Sequence, residues 1–124
     1  MALPARFAGH RHGAATAPYL LEAYLDFVCP FSARLYKRLT QEVLPWLDAA
    51  HPGKVQFILR HQVQPWHSQS TLVHEAALAA ERAAPTRFFE VATFLFEHQT
   101  EYFDEKIVND SHDSIYRRLS EQLA

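Results

Sequence analysis

Apolar positions form two short runs, separated by a segment with helical spacing. Most residues from Tyr19 to Phe27 are apolar, which is typical of a strand buried on both faces of a parallel sheet. Between Phe31 and Leu47 apolar residues recur every fourth position, which predicts an amphipathic helix that Pro45 kinks or ends. Residues 54–63 alternate and predict a second strand. Together these segments predict a βαβ unit, whose two strands are parallel.

The second half of the chain predicts helices. Residues 70–84 are rich in Ala, Leu and Glu and predict a helix that Pro85 stops. Thr86 can cap a second helix, which is apolar around most of its circumference and must be buried by neighbours. Ser111 is the predicted N-cap of a last helix. The apolar stripe of that helix consists of Ile115, Leu119 and Leu123.

These elements divide the chain into three parts. Residues 1–17 mix Ala, Gly, Pro, His and Arg without a period, which predicts a flexible arm with a short strand around Arg6–Ala8. Residues 18–69 are the predicted βαβ core of an α/β fold, and residues 70–124 are a helical subdomain. Two strands alone leave unpaired sheet edges, so we expect strand exchange, marginal stability or dimerisation, the last as a homodimer through these edges.

Composition and charge exclude several classes of function. The 124 residues carry a formal charge of −2 and no basic run, which argues against nucleic acid as a partner. No apolar run approaches the roughly 20 residues of a membrane-spanning helix. Arg6, Arg11 and His12 stand where a signal peptide has its apolar segment, so we expect a cytoplasmic location. With one cysteine, an internal disulfide is excluded.

The eight histidines raise the question of a metal site. Their spacings match no common ligand pattern, and a closed zinc site with one cysteine would need several histidines or carboxylates to converge. We therefore expect no metal. The two groups that we considered are His61, His67 and His74 with Glu75, and His10 with His12.

The cysteine, Cys29, lies in the stretch "DFVCPFS", where the first predicted strand gives way to the predicted helix. As N-cap, its sulfur would face the free N–H groups of the first helical turn, and the helix dipole would favour the thiolate. Pro30 fits the first helical position, where an N–H is not needed. The thiolate is the nucleophile of disulfide exchange. The alternative is that Cys29 is an inert buried side chain.

The motif "CPFS" at a strand-to-helix junction resembles the active-site motif of the thioredoxin superfamily, and "DFVCPFS" is most similar to the DsbA-like branch. The loop "QPWHSQS", with helices after it, also resembles that branch, whose members insert a helical domain here. The resemblance covers about Tyr19 to Leu123. It implies a partial DsbA-like fold, a thioredoxin-like βαβ core with an α-helical insertion, and no cofactor. Because no proline follows Pro85, we expect the cis-proline loop and the last strands of the family to be missing.

The resemblance implies that Cys29 is the attacking thiol, that Ser32 takes the position of the resolving cysteine, and that Asp26 is a proton acceptor. Ser32 cannot attack a mixed disulfide, so an outside thiol such as glutathione must complete the cycle. The residues leave alternatives open. The Ser32 hydroxyl can instead bond to a backbone group, and Asp26 can be an exposed carboxylate in a surface ion pair.

Pro30 and Phe31, beside the cysteine, and Trp66 and His67, in the loop, are candidate substrate contacts. A loop tryptophan more often anchors its loop on the core, and we favour that role for Trp66. The leading hypothesis is a monothiol oxidoreductase that acts on a protein or small-molecule disulfide, with glutathione as co-substrate. A catalytically silent binding module is the alternative. Kappa-class glutathione transferases usually have Ser at the first motif position, so Cys29 argues against that class.

Overall fold

The computed structural model describes residues 3–124, which form two units of a mixed α/β fold. The first unit comprises residues up to Leu25 and Arg34–His61, and the second comprises Asp26–Ala33 and Gln62–Ala124. The strands are β1 (Arg11–His12), β2 (Tyr19–Leu25) and β3 (Val55–His61). The α-helices are α1 (Pro30–Arg38), α2 (Leu44–Ala50), α3 (Ser70–Ala83), α4 (Phe88–Glu97), α5 (Asp104–Ile107) and α6 (His112–Leu123).

The sheet of the first unit has the strand order β1-β3-β2. β2 and β3 are parallel, with Tyr19 opposite Val55, so the predicted parallel pairing is confirmed. β3 is the central strand, and its residues 56–59 are buried. Within the described residues β2 is an edge strand, on which Tyr19 and Tyr24 are 67% and 61% exposed. The prediction that the first strand is buried on both faces was therefore wrong.

The single helix predicted between the strands is interrupted by a π-helical turn at Leu39–Val43, from which α2 continues. Pro45 explains the interruption, because it has no N–H to donate and its ring crowds the carbonyl of Gln41. The wider π turn leaves room for the ring. Pro45 itself lies in the first turn of α2, where a missing N–H costs nothing.

The buried stripe of α1 differs from the predicted one. Tyr36 and Leu39 are buried, whereas Phe31 and Leu35 are 73% and 47% exposed. Each residue turns a helix by about 100°, so the buried face is rotated by about one residue from the predicted stripe. The rotation leaves two apolar side chains of the first helix in contact with solvent.

Part of the predicted N-terminal arm belongs to the sheet, because β1 pairs antiparallel with β3. A strand around Arg6–Ala8 was predicted, but residues Ala5–Phe7 form a 3-10 turn, so that prediction was wrong. Gly13 has a φ of +89°, and a Cβ there would lie 2.7 Å from the carbonyl oxygen of Val55. Only glycine lets the chain pass so close to β3. The predicted domain boundaries remain predictions.

The second unit is helical, and α3 packs against both α4 and α6. The predicted first and last helices are confirmed, and Ser111 is the N-cap of α6, its Oγ accepting from the N–H of Ser114 at 3.2 Å. A 3-10 turn, Pro85–Arg87, precedes α4, and no described side chain caps that helix, so Thr86 as its cap was wrong. No helix among residues 3–124 is long and apolar enough to cross a membrane.

Candidate active site

Cys29 directly precedes α1, at the predicted junction. Its N–H donates to the carbonyl of Asp26 at 3.1 Å, and its own carbonyl accepts from the N–H of Ala33 at 3.0 Å. Cys29 is therefore the N-cap, the residue whose carbonyl accepts the first bond of the helix. Its side chain is 7% exposed. The free N–H groups of the first helical turn and the positive end of the helix dipole lie at this position.

The carboxylate of Asp26 is wholly buried and is the centre of a hydrogen-bond network. Its Oδ1 accepts from the N–H of Val28 at 3.0 Å and from the hydroxyl of Ser70 at 2.8 Å. Its Oδ2 faces the N–H of Gln64 at 2.9 Å and Nδ1 of His67 at 3.0 Å. The interpretation of Asp26 as an exposed carboxylate in a surface pair was therefore wrong.

Burial alone would raise the pKa of Asp26. The polar groups around the carboxylate more than offset burial and hold the pKa of Asp26 well below its usual range. These groups are His74, the Val28 N–H, His67 and the Gln64 N–H. Asp26 is therefore ionised at neutral pH, and as an ionised carboxylate it only accepts hydrogen bonds, so the proton of the His67 contact lies on Nδ1. Such a carboxylate is a weak base, which makes it better suited to orienting its neighbours than to accepting a proton.

His74 of α3 is buried next to this network. Its Nε2 lies 3.3 Å from the backbone nitrogen of Phe27 and 3.6 Å from Oδ1 of Asp26. One ring nitrogen cannot accept from the amide and donate to the carboxylate at the same time, and the contact with Asp26 is too long for a hydrogen bond. The amide of Phe27 is therefore the hydrogen-bond partner of Nε2.

Ser32 lies in the first turn of α1 and is 9% exposed. Its Oγ accepts a hydrogen bond from the backbone N–H of Asp26 at 3.2 Å. The structure thus places the hydroxyl against a backbone group, as the alternative interpretation of this residue expects. The bond ties the first turn of α1 to the start of the loop that carries Cys29.

Gln99 is a site residue for which the sequence patterns give no clear signal. It is buried, and its Nε2 donates to the carbonyl oxygens of Phe27 at 2.9 Å and Cys29 at 3.3 Å. A single side chain therefore holds the backbone at two positions of the loop. The one available signal was a polar residue at the end of a strongly apolar segment, which does not identify a partner 70 residues away.

A groove of about 190 Å³ lies beside the cysteine loop. Val28 and Pro30, the two neighbours of Cys29 in sequence, line it together with His67. The structure therefore brings two of the predicted substrate contacts, Pro30 and His67, to one groove. The other lining residues are Gln69, Phe103, Asp104 and Glu105.

The other two predicted contacts, Phe31 and Trp66, are 73% and 67% exposed. The interpretation of Trp66 as an anchor on the core was therefore wrong. Its ring instead stands edge-on to that of His67, with 6.1 Å between the ring centroids. Both aromatic side chains therefore expose apolar surface.

Among residues 3–124, no group of three or more His, Cys, Asp or Glu side chains is placed to hold a metal ion. The histidines take other contacts. His67 faces Asp26, and the ring of His61 stands edge-on to that of His10 at 4.9 Å between centroids.

Solved structures show the same fold. A candidate protein-disulfide isomerase from Pseudomonas syringae is similar with a TM-score of 0.78 and 24% identity, over 94% of this chain and 65% of that chain. BdbD from Bacillus subtilis, in its oxidised form, has a TM-score of 0.63 and 16% identity, over 98% and 70% of the two chains. DsbA2 from Pseudomonas aeruginosa has a TM-score of 0.64 and 18% identity, over 99% and 73%. This chain thus spans about two thirds of the length of the first structure.

A comparison with curated protein sequences finds no match. A family model described as Thioredoxin matches residues 7–122, nearly the whole chain. Together with the mixed α/β architecture and the DsbA-like structural neighbours, this match confirms the predicted thioredoxin-like fold. The chain therefore belongs to the thioredoxin family.

Proposed function

We propose that the protein carries out thiol-disulfide exchange with Cys29 as its single reacting thiol. The observation that carries the proposal is the position of Cys29 at the N-terminus of α1, in the loop that follows β2 of a thioredoxin-family chain. The helix dipole at this position favours the thiolate, which is the form that attacks disulfides. The hydrogen bonds of Asp26 and Gln99 fix the loop that presents the sulfur.

The reaction has two steps. The Cys29 thiolate attacks one sulfur of the substrate disulfide, the substrate S–S bond breaks, and the second sulfur leaves as a thiolate. Ser32 cannot resolve the resulting mixed disulfide. We propose that an outside thiol, glutathione, attacks the substrate-derived sulfur, which forms a new disulfide and releases the Cys29 thiolate. The net reaction converts one disulfide and one outside thiol into a new disulfide and a new thiol. No further oxidant or reductant is therefore needed.

Mass spectrometry of the native protein tests this proposal. Incubation with glutathione disulfide is expected to add one glutathionyl group at Cys29, and reduced glutathione is expected to remove it. The matched control is Cys29→Ser, which should form no adduct. The proposal is wrong if the native wild-type protein forms no adduct while the same protein unfolded in urea does, because Cys29 would then be reactive only when released from the core.

The low exposure of Cys29, 7%, favours a second candidate function, a catalytically silent binding module. In that case the exposed Phe31 and Trp66 would provide apolar surface for a partner. The same experiment separates the two functions, since a binding module has no need of a thiol that reacts in the folded state.

We further propose that the protein forms a homodimer through the open edge of β2. The support is the strand order, which leaves β2 paired on one side within the described residues. Sedimentation velocity is expected to give a dimer for the wild-type protein and a monomer for Tyr24→Lys, because a charge on an edge strand opposes pairing. A wild-type monomer at high concentration would contradict the proposal.

A further inference from the structure

We propose that His67 donates a proton to the sulfur that leaves in the exchange reaction, and that Asp26 is the positioning residue that orients its ring. The proposal rests on the proposed function of Cys29 and adds an acid that accelerates its first step. A departing alkyl thiolate is a poor leaving group, and its departure accelerates when the charge on its sulfur is neutralised.

The orientation of the His67 ring is fixed from one side. Nδ1 lies 3.0 Å from Oδ2 of Asp26, a carboxylate with no exposed surface, whereas the His67 side chain is 18% exposed. The backbone is also held, because the N–H of His67 donates to the carbonyl of Gln64 at 3.1 Å and its carbonyl accepts from the N–H of Ser70 at 3.2 Å. A carboxylate that binds one nitrogen of an imidazole selects the tautomer and raises the basicity of the other nitrogen.

The second nitrogen, Nε2, lies on the far side of the ring from Asp26 and is the one left for the groove. His67 lines this groove together with Val28 and Pro30, which flank Cys29 in sequence. A disulfide that approaches Cys29 along this groove therefore meets the His67 ring. Imidazole is also the side chain whose charge changes near neutral pH, so it can both give and take a proton there.

The proton balances over the two steps. As the Cys29 thiolate forms the mixed disulfide, the leaving sulfur keeps the electron pair of the broken S–S bond and takes the proton from Nε2 of the imidazolium. The neutral ring then has its proton on Nδ1, which is the tautomer that Asp26 selects. When the outside thiol attacks, Nε2 accepts its proton, Cys29 leaves as the thiolate, and the imidazolium is restored.

Other titratable groups lie close to the groove and the carboxylate that His67 contacts. A carboxylate in the loop after β2 contacts the ring, two carboxylates at the start of α5 line the same groove, and a second histidine lies near the Asp26 carboxylate. These groups are Asp26, Asp104, Glu105 and His74, with the Cys29 thiolate at the start of α1.

The test uses His67→Asn and two disulfide probes. The side-chain amide of Asn can replace Nδ1 as the donor to Asp26 but has no atom at the position of Nε2, so the loop contact is retained and the acid is lost. With glutathione disulfide, whose leaving thiolate needs a proton, the variant is expected to react about 100-fold more slowly. With an aromatic disulfide, whose thiolate leaves unprotonated, the loss is expected to be below about 3-fold, since no acid is needed.

The pH profile gives a second readout. With glutathione disulfide the wild-type rate is expected to rise with pH as thiolate forms and then to fall as the imidazolium is lost, whereas His67→Asn should lack the falling limb. Equal losses with both probes would show a structural role, and no loss with either would show no role, so both results overturn the proposal. If wild-type protein and Cys29→Ser are equally inert to both probes, the proposed function itself has failed.

Discussion

Nδ1 of His67 lies 3.0 Å from Oδ2 of Asp26, although the two residues are 41 positions apart in the chain. Asp26 follows β2 directly, and His67 belongs to the loop after β3. The contact therefore joins the loop that carries Cys29 to the loop that lines the groove. Since the carboxylate also accepts from two backbone N–H groups and a hydroxyl, replacing it affects both loops at once.

Asp26→Asn is expected to lower the free energy of unfolding by about 3 kcal/mol at pH 7. The asparagine amide turns one acceptor into a donor, which then faces the buried donors that the carboxylate had satisfied. Urea denaturation followed by circular dichroism measures the loss. Asp48→Asn is the matched control, because Asp48 is 54% exposed in its pair with His12 and should cost less than about 1 kcal/mol. A loss at Asp26 no larger than that of the control would contradict the central role of this carboxylate.

The same substitution is expected to flatten the acid limb of the stability curve. The pKa of Asp26 is lower in the folded protein than its value of 3.8 in the unfolded chain, so the unfolded chain binds more protons in the interval between them. The stabilisation is thus complete above the unfolded value and is lost as the pH falls toward the folded one. Unfolding free energies measured from pH 7 to pH 2 should fall less steeply in Asp26→Asn than in the wild type. Equal slopes would show that other carboxylates set the acid limb.

Gln99→Met tests whether the cysteine loop is held by the side-chain amide. Methionine has a similar length but cannot donate to the carbonyls of Phe27 and Cys29, so both bonds are lost. The free energy of unfolding is expected to fall by about 1–2 kcal/mol, and alkylation of native Cys29 by iodoacetamide should accelerate as the loop opens more often. The exposed Gln41 provides the matched control, Gln41→Met, which should change neither quantity. An unchanged alkylation rate in Gln99→Met would mean that the amide does not limit access to the sulfur.

The local elements of this fold were predictable because they depend on residues close in sequence. Helical spacing and composition identify α3 and α6, the cap at Ser111 follows from its residue type, and apolar runs identify β2 and β3. The junction at Cys29 follows from the same patterns. The burial of a strand depends on its place in the sheet, which the sequence pattern does not show. β3 is the central strand and β2 lies at an edge, so the predicted burial of β2 on both faces was wrong.

The network around the cysteine was not predictable, because its contacts join distant parts of the chain. The partners of Asp26 in the groove loop lie 38 and 41 residues away, and Gln99 bonds to Phe27 across 72 residues. A sequence pattern shows that a position is polar but not which buried group it meets. For Trp66 the usual behaviour of loop tryptophans favoured burial, and the structure exposes the ring.

Ser111→Ala tests the predicted helix cap whose side chain makes the capping hydrogen bond. Ser111 Oγ accepts from the N–H of Ser114, and losing the bond is expected to lower the free energy of unfolding by about 1 kcal/mol. Ser120→Ala is the matched control in the same helix, at an exposed interior position where alanine is the better helix former. The control should therefore be neutral or slightly stabilising in urea denaturation. Equal effects of the two substitutions would show that Ser111 does not act as a cap.

Asp104 and Glu105 give the groove a negative charge that should slow the attack of glutathione, the proposed outside thiol. Both carboxylates line the groove beside His67, and glutathione itself carries a net negative charge. The double variant Asp104→Asn with Glu105→Gln is expected to release the glutathionyl adduct of Cys29 about 3- to 10-fold faster at low salt, and added salt should reduce the difference by screening the charges. The rate is measured by mass spectrometry after addition of reduced glutathione.

The double variant Glu97→Gln with Glu121→Gln has the same change in net charge at exposed positions outside the groove, so it separates the local effect from the overall one. An equal acceleration in this control would assign the effect to net charge, and no acceleration in either would mean that the outside thiol reaches Cys29 by another path.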